Sequence, residues 1–496
     1  MDSGHGNMME ADSKPWNKYQ SLILIGVAVF LSLGCWLTDP LDLDSRANAV
    51  VSVAVLMVSL WVMDALPMPV VAILPLVLFP LLGISSLEKT AGSYANPVIY
   101  LFFGGFMLGL AIEKWHLHRR IALHIIRATG TSGDRIVLGF ILATGLISMW
   151  LSNTATTMMM YPIALSVISV IARNPQQNSN YPYFNLSIML AIAYASNIGG
   201  IATIIGTPPN VAYIGYFRSK YQTDIDFMSW MALCLPISLL LLGSLYLVMV
   251  KWLYPSRIRA DQSSSLYISQ ELDSLGRLTT PERRVLVIFI LTAGMWIFRA
   301  LINDAQTWFK LDDTIIALIG AILLFLVPSG SDTGKKTFRP LLEWEDTSRM
   351  AWGILLLFGG GISLAQALED VGLISQLGSW LGNIRSSPVA MIFLISILSI
   401  FISEVMSNVA QVIVFAPVVS SVADNMGIDP LLLGIPMTLA ASCAGMLPMG
   451  TPPNAIVFGS NHIKMKDMVR VGLVMNLIAV VVITMFVWLV KPMIFG

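Results

Sequence analysis

This chain of 496 residues is 56% hydrophobic and only 12% charged, and its mean hydropathy is +0.75. A water-soluble protein of this length could not bury so much apolar surface, so the composition predicts an integral membrane protein in a lipid bilayer. The formal net charge is zero, which gives no reason to expect a nucleic acid as partner.

Apolar stretches of about 17–25 residues, each long enough to cross a bilayer as a helix, recur along the chain. About eleven transmembrane helices are predicted, and the fold class is therefore all-α. They cover 20–38, 47–63, 67–84, 97–113, 184–218, 227–254, 283–302, 313–329, 350–369, 430–461 and 467–492.

Two further apolar stretches, 136–173 and 388–424, each carry a Ser-Asn pair near the middle. Each stretch could cross once as an over-long helix, or enter and leave on the same side as a re-entrant helical hairpin. Polar residues at mid-depth favour the hairpin, because irregular backbone survives there only inside protein or facing a cavity. Two re-entrant hairpins are therefore predicted beside the spanning helices.

The distribution of basic residues agrees with this arrangement of helices. Arg173 and the basic segments would all lie on one face, the segments being 14–18, 114–127, 251–284, 335–339 and 464–470. The opposite face would carry the acidic or neutral segments 39–44, 85–96 and 303–313. The bias predicts a multi-pass protein of the cell (inner) membrane, with a cytoplasmic amino terminus and the carboxyl terminus outside.

Short polar motifs within the apolar segments occur twice. Ser152-Asn153-Thr154 recurs as Ser407-Asn408-Val409, and Gly-Thr-Pro-Pro-Asn follows each copy, at Gly206 to Asn210 and at Gly450 to Asn454. Phe-Gly-Gly at Phe103 also matches Phe-Gly-Gly at Phe358. The duplication indicates that two halves of one chain each supply half of a site, as in transporters built from internal repeats.

The repeats also set the predicted domain organisation. An odd number of crossings in each repeat makes the two halves inverted relative to one another. The amino-terminal tail and first helix cover 1–46, the first inverted repeat 47–254, a cytoplasmic connector 255–282, and the second inverted repeat 283–496.

The duplicated motifs have the chemistry of an ion and substrate site. At a hairpin tip the chain turns and frees backbone carbonyls, which with hydroxyl and amide oxygens are hard ligands suited to Na⁺, whereas freed helix amino ends suit a carboxylate. Paired prolines force a helix break near Gly206-Thr207. The residues could instead only kink helices and bond their neighbours, but duplication of both motifs favours a site at mid-membrane.

Basic side chains are missing from these motifs. No Lys or Arg lies within ten residues of either Ser-Asn pair or either Gly-Thr pair, the nearest being Arg218. An anionic substrate would then be neutralised by helix amino ends, each carrying about half a charge, and by co-bound cations. Cation coupling is the simple electrostatic answer, although a neutral substrate is compatible with the same absence.

Glu404 lies four residues before Asn408 and would share its face on a helix. An intramembrane carboxylate can be a cation or proton ligand. It can also be a buried hydrogen-bond acceptor that positions the hairpin. The structural role is preferred, because Met149 stands at the equivalent place in the first repeat.

The sequence SNTAT from Ser152, both TPPN copies, and ASCAGMLPMGTPPNAIVFG from Ala441 resemble the divalent anion/sodium symporter family over 47–490. That family includes bacterial succinate carriers and mammalian sodium-dependent dicarboxylate and citrate carriers. The resemblance implies a transporter, not an enzyme, that carries C4-dicarboxylates (succinate, malate, fumarate) or related di/tricarboxylates in symport with two or more Na⁺. It also implies a homodimer whose protomers each have a scaffold domain and a moving transport domain, the elevator mechanism.

The resemblance also implies site residues. One Na⁺ would be held between the first hairpin tip and the first helix break by Ser148, Ser152, Asn153 and Gly206. A second would be held by Ser403, Met406, Asn408 and Gly450, with backbone carbonyls contributed where the side chain offers no oxygen. The substrate carboxylates would be met by Asn153, Thr154, Thr207, Asn408, Val409 and Thr451.

The sequence departs from the family pattern at four of these or nearby positions. Val409 removes a hydroxyl that the common SNT motif has, Gln411 replaces a usual Thr, and Gly445 stands where the family has an aromatic Phe. Ser403 replaces a common Thr but keeps the oxygen. Val409 and Gly445 put the choice of substrate in doubt more than the fold.

Proteins of other classes fit the sequence less well. A channel would need a continuous polar path, whereas the polar residues cluster at one depth. A membrane-embedded enzyme would need a nucleophile, a base or a metal set, and the Ser and His residues form no such pairing with a carboxylate in the apolar segments. A sodium-independent anion exchanger and a sulfate carrier of the same fold stay open, because they use similar motifs.

Overall fold

The computed structural model describes residues 18–40, 42–130, 132–172, 181–255, 262–330, 338–374, 376, 387–460 and 462–495. Arg173 and parts of the predicted tail, of the connector and of the basic segments at 14–18 and 335–339 lie outside these residues. Throughout the described ranges the secondary structure is helical apart from one isolated bridge between Pro328 and Pro340. The all-α prediction is confirmed.

Among the described residues, the first half of the chain forms eleven α-helices. They are Lys18–Thr38 (α1), Ser45–Val62 (α2), Met68–Leu81 (α3), Leu87–Tyr94 (α4), Pro97–Lys114 (α5), Leu117–Thr129 (α6), Gly133–Ser148 (α7), Asn153–Ala172 (α8), Tyr181–Gly200 (α9), Pro208–Tyr221 (α10) and Phe227–Tyr246 (α11). A π-helical turn, Leu247–Leu253, continues α11.

The second half follows the same order after a short helix in the connector. Its α-helices are Gln262–Ser274 (α12), Thr280–Ile297 (α13), Arg299–Ala305 (α14), Asp313–Leu326 (α15), Trp352–Asp370 (α16), Pro388–Ile402 (α17), Asn408–Met426 (α18), Leu431–Ser442 (α19), Pro452–Phe458 (α20) and Met465–Phe495 (α21). A 3₁₀ turn, Trp344–Arg349, precedes α16.

Within the described residues, eight helical segments are long and apolar enough to cross a membrane, or nine if α13 and α14 form one span. These include α8 and α18, the second arms of the two predicted hairpins, while α3, α15, α17 and α19 are shorter apolar helices. The exact count of eleven spans therefore stays a prediction. One predicted span, 283–302, is not a single helix, since the chain bends by 71° between α13 and α14.

Both polar stretches break where the Ser-Asn pairs stand. The break between α7 and α8 covers 149–152, and the break between α17 and α18 covers 403–407. In the second stretch the chain folds back, because Gln411 Nε2 donates to Ser399 O at 2.9 Å and to Ser399 Oγ at 2.7 Å across the break. Twelve residues of straight helix would separate these groups by about 18 Å, so the contact requires a hairpin.

The arms of each hairpin pack on one neighbouring helix. In the first half α7 and α8 both pack against α9, and in the second half α17 and α18 both pack against α19. The helix after each hairpin then breaks before its Pro-Pro pair, at 201–207 and at 443–451. Proline lacks the amide hydrogen that a continuing helix would need, and the predicted breaks therefore lie where the sequence requires them.

The matched Phe-Gly-Gly motifs let helices of opposite halves approach closely. A Cβ on Gly104 of α5 would lie 2.7 Å from Ala317 of α15, and a Cβ on Gly360 of α16 would lie 2.3 Å from Ala72 O of α3. Helix α5 of the first half thus packs against α15 of the second, and α16 of the second half packs against α3 of the first. This reciprocal packing is the relation expected of two repeats joined by a pseudo-two-fold axis.

Ion pairs collect at the two ends of the helix bundle. At one end Lys114 pairs with Asp346 at 2.5 Å, Arg120 pairs with Glu282 at 3.0 Å, and Arg119 pairs with Glu271. At the other end Lys89 pairs with Asp370 at 2.6 Å, Lys220 with Asp424 at 3.0 Å, and Lys491 with Asp429. Helices α5 and α16 connect the two ends. The basic segments at 114–127 and 251–284 share one face, because Arg119 and Arg120 pair with Glu271 and Glu282.

Most of the basic segment 114–127 lies in helix α6, on that face. Helix α6 buries Leu117, Leu123 and Ile126 and leaves arginines on its other side. His118 is also buried, with Nδ1 2.9 Å from Ile112 O, and this burial lowers the pKa of its ring. Helix α6 packs against α7, so its apolar residues are buried within the protein.

Candidate ion and substrate site

The first hairpin tip holds three oxygens together. Ser148 Oγ, at the end of α7, lies 2.8 Å from Asn153 Oδ1 and 2.7 Å from Ser196 O of α9. Asn153 starts α8 and is half-buried, whereas Ser148 is fully buried. The tip therefore brings together a side-chain amide oxygen, a hydroxyl and a carbonyl of α9.

The first helix break faces this tip. Thr203 Oγ1 donates to Met149 O at 2.5 Å, and Asn210 Nδ2 donates to Thr203 O at 2.8 Å. A Cβ on Gly206 would lie 2.4 Å from Gly200 O and 3.0 Å from Met149 O. Only glycine fits at this position, because both neighbouring atoms belong to the backbone.

The second hairpin tip repeats the geometry of the first. Ser403 Oγ lies 2.6 Å from Asn408 Oδ1 and 2.6 Å from Ala441 O of α19. These are the same three groups, serine hydroxyl, asparagine amide and helix carbonyl, at the matched positions. The structure thus brings Ser403 and Asn408 together as it brings Ser148 and Asn153.

Glu404 holds the second helix break in place. Its Oε1 accepts from Gly445 N at 2.9 Å, Met446 N at 2.8 Å and Asn476 Nδ2 at 2.7 Å, and its Oε2 accepts from Leu447 N at 2.9 Å. The carboxyl group is buried and bonds three consecutive backbone amides of the unwound segment. This geometry supports the structural interpretation of Glu404 as the acceptor that positions the break.

Replacement of Glu404 by Gln should lower stability. The amide NH₂ would face a backbone N–H, which leaves at least one buried donor unpaired at a cost of about 1–3 kcal/mol. We expect a lower apparent melting temperature for purified E404Q in detergent, while E88Q, at an exposed position on α4, should melt like the unmodified protein. An unchanged melting temperature for E404Q would mean that these amides have other acceptors.

Asn197 of α9 links the two halves. Its Nδ2 donates to Thr451 Oγ1 at 3.0 Å and to Asn454 Oδ1 at 3.3 Å, both in the second Thr-Pro-Pro-Asn motif. Its Oδ1 accepts from Asn153 Nδ2 at 3.5 Å. Through this one side chain the first hairpin tip contacts the second helix break.

The remaining predicted residues lie at helix starts, beside Glu404 or against the apolar core. Thr207 and Thr451 cap α10 and α20 and are buried, and the half-buried Thr154 and Val409 stand in the first turns of α8 and α18. Gly450 lies against Glu404, since a Cβ there would be 3.2 Å from Glu404 Oε2. Ser152 Oγ caps α8 by accepting from Ala155 N at 3.2 Å, and Met406 packs on the apolar core.

Sequence reasoning missed Ser196, Asn197, Gly200 and Thr203. These residues lie inside the predicted span 184–218, where a continuous helix hid them. A signal was nonetheless present, because Ser196-Asn197 is a further Ser-Asn pair in an apolar segment ahead of Gly-Thr-Pro-Pro-Asn.

The oxygen-rich first tip fits a hard cation such as Na⁺. Asn153 Oδ1 lies 2.4 Å from where a Cβ on Gly200 would stand, and the carbonyl oxygens of Gly200 and Met149 lie 2.4 Å and 3.0 Å from where a Cβ on Gly206 would stand. Among the described residues, buried Asn210 Oδ1 has no hydrogen-bond partner. Unwound carbonyls and amide oxygens of this kind coordinate Na⁺ in transporters with broken helices.

Comparison with known proteins assigns the chain to a family. The family model described as "Sodium:sulfate symporter transmembrane region" matches residues 15–495. The sodium-dependent dicarboxylate transporter SdcS of Staphylococcus saprophyticus is 35% identical over 490 residues, covering 98% of this chain and 94% of the relative. SdcS of Staphylococcus aureus strain USA300 is 37% identical over 489 residues, covering 97% and 93%.

Two solved transporters are similar in fold. The YdaH transporter of Alcanivorax borkumensis aligns with a TM-score of 0.58 at 15% identity, over 82% of this chain and 88% of its own. MtrF of Neisseria gonorrhoeae aligns with a TM-score of 0.52 at 10% identity, over 81% and 83%. With a family model and curated relatives that both match almost its whole length, the chain belongs to the divalent anion/sodium symporter family.

Proposed function

We propose that this protein is a secondary active transporter that couples uptake of C4-dicarboxylates, such as succinate, malate and fumarate, or of related di/tricarboxylates, to Na⁺. The observation that carries the proposal is the duplicated cluster of serine, asparagine and carbonyl oxygens at the two tips. The SdcS relatives are named sodium-dependent dicarboxylate transporters, not enzymes.

The charges support cation coupling. The described groups that contact the tips and breaks are hydroxyls, amides, backbone groups and the carboxyl of Glu404, which already accepts four hydrogen bonds. A dicarboxylate carries two negative charges, and two Na⁺ would balance them. Thr207, Thr451, Asn153 and Asn408, with the amino end of α8, would then orient the carboxylates by hydrogen bonding.

An elevator motion is part of the proposal. The hairpins with α9, α10, α19 and α20 would move as one unit, since buried polar contacts such as Asn197 to Thr451 join them. Toward the rest of the protein, Lys220 of α10 reaches Glu369 of α16 at 3.6 Å and Ser219 accepts from Gln366 at 2.6 Å. These contacts lie at the end of the bundle, where a sliding unit can break them in water.

The proposed assembly and orientation follow the resemblance and the charge bias. The protein would be a homodimer in the cell (inner) membrane. The face that carries Lys114, Arg119 and Arg120 would be cytoplasmic. The carboxyl end of α21, where Lys491 pairs with Asp429, would lie outside.

Purified protein in proteoliposomes tests the function directly. Uptake of labelled succinate into empty vesicles should require external Na⁺ and should depend on Na⁺ with an order above one, because both cation sites must fill. Choline chloride replaces sodium chloride as the control. Equal uptake in both salts, or uptake only into vesicles preloaded with dicarboxylate, would replace symport by exchange. Na⁺-dependent uptake of labelled sulfate, without uptake of labelled succinate, would replace the substrate.

A further inference from the structure

We propose that Asn197 is a positioning residue that couples the first cation site to the hydroxyl donor of Thr451. The inference rests on the proposed function and adds a route by which one half of the site affects the other. Asn197 lies on α9, is 2% exposed, and contacts groups of both repeats. No charged residue is needed for this coupling, only the fixed directions of three side-chain amides.

The directions of these amides follow from the backbone. Asn454 Nδ2 donates to Leu447 O at 3.1 Å and to Ala444 O at 3.4 Å, so its Oδ1 must face Asn197. Asn197 must therefore turn its Nδ2 toward Asn454 and its Oδ1 toward Asn153. Asn153 in turn directs Nδ2 to Asn197, which leaves Asn153 Oδ1 for Ser148 and the cation space beside Gly200. Each amide offers an acceptor on one side only, and the chain of three admits one arrangement.

The same arrangement prepares Thr451 as a donor. Thr451 Oγ1 accepts from Asn197 Nδ2 at 3.0 Å and from Asn454 N at 3.3 Å. A hydroxyl has two acceptor lone pairs and one hydrogen. With both lone pairs occupied, the hydrogen is left to donate to a substrate carboxylate.

The link from a hairpin tip to the helix break of the other repeat occurs once among the described residues, because the second half has no counterpart of Asn197 there. Ser442 stands at the matched position of α19, and its Oγ bonds Thr438 O of its own helix at 3.4 Å. Thr207 caps α10 without a side-chain hydrogen bond, and Asn210 Oδ1, the counterpart of Asn454 Oδ1, has no partner among the described residues. The repeats are thus unequal at this one contact.

The contact of 3.5 Å between Asn153 and Asn197 is the longest of the three links. A shift of the first tip therefore breaks the contact between Asn153 and Asn197 before it breaks the hydrogen bonds from Asn197 to Thr451 and Asn454. An ordered first tip holds Asn197 in place and so holds the Thr451 hydroxyl toward the substrate. Loss of Asn197 should therefore weaken the binding of both Na⁺ and the substrate. The affinity for the substrate should then no longer depend on whether the first tip is ordered.

Thermal unfolding of the purified protein in detergent measures binding without transport, since a ligand that binds the folded state raises the melting temperature. N197A should raise the Na⁺ concentration that gives half of the maximal shift in melting temperature. It should also lower the affinity for succinate, titrated at saturating Na⁺, by about fivefold or more. S442A is the matched control and should behave like the unmodified protein. N197D keeps the oxygen toward Asn153 but removes the donor toward Thr451, so it should retain the Na⁺ response and lose the succinate response.

A double-mutant cycle separates coupling from general damage. N197A and T451V should be non-additive for succinate, because both act through one hydroxyl, whereas N197A and T207V should be additive. Additivity in both cycles, or a lower melting temperature with unchanged ligand responses, would overturn the inference. An unmodified protein that responds to succinate without Na⁺ would instead refute the proposed function.

Discussion

Asn153→Ala and Asn408→Ala should each abolish Na⁺-dependent succinate uptake and leave the protein folded. Each side chain offers its Oδ1 to a serine hydroxyl at the tip, at 2.8 Å and 2.6 Å, and each stands at the first residue of a helix whose amino end faces the site. Each loss removes a cation oxygen and a substrate donor together, two interactions of about 1–3 kcal/mol each. Uptake into proteoliposomes over a range of Na⁺ concentrations measures the effect.

Asn425→Ala is the matched control for this pair. Asn425 lies on α18, the helix that Asn408 begins, and its Nδ2 bonds only Ser421 of the same helix among the described contacts. We expect N425A to transport normally. Both tip variants should keep the melting profile of the ligand-free protein. Normal uptake by N153A or N408A at normal expression would mean that the motif has only a structural role.

The sequence predicts the parts of this site that depend on local chemistry. Proline cannot continue a helix and glycine permits close approach, so the breaks before Pro208 and Pro452 and the close contact of Gly360 with α3 follow from the residue types alone. A Ser-Asn pair in hydrocarbon must find partners. Because the motif is duplicated, both tips are expected to satisfy their polar groups with the same kind of partner. The matched hydrogen bonds of Ser148 and Ser403 to helix carbonyls agree with this expectation.

Contacts between distant segments could not be predicted from one sequence. Asn197 meets Thr451, which lies far along the chain and belongs to the other repeat, and no local pattern specifies this pairing. The neighbours of Gly445 are a second example. Tyr194 OH donates to Gly445 O at 2.7 Å, and a Cβ on Gly445 would lie 3.1 Å from the Tyr194 ring. The tyrosine ring thus occupies space beside the position where the family has Phe.

Helix periodicity also has limits in a membrane protein. The chain bends after α13 at Phe298, which is neither a proline nor a glycine. The hydrophobic pattern alone therefore predicts one span for this stretch. Conversely, α6 is rich in basic residues, yet its apolar residues recur at helical spacing and are buried. Charge content and helix formation are separate properties, and the burial of Leu123 and Ile126 shows that α6 packs its apolar side inside the protein.

Gly206→Ala should eliminate the Na⁺ response of the first site. The added methyl group would lie 2.4 Å from Gly200 O and 3.0 Å from both Gly200 Cα and Met149 O. None of these atoms is on a side chain that can rotate away, so the unwound segment must move, at a cost of about 1–3 kcal/mol. The movement displaces the carbonyls that surround the cation space. We expect G206A to show no Na⁺-dependent uptake and a reduced Na⁺ effect on the melting temperature.

Variants at two other glycines serve as controls for G206A. A methyl group on Gly243 of α11 would have no atom within 4 Å, and G243A should transport and bind Na⁺ normally. At Gly450 the nearest atoms are Glu404 Oε2 at 3.2 Å and Leu447 O at 3.4 Å, so G450A should lose only part of the activity. The expected order of loss is therefore Gly206, then Gly450, then Gly243. A G206A protein with the Na⁺ activation curve of the unmodified protein would exclude the first helix break from the cation site, because the clash leaves its carbonyls no room to stay in place.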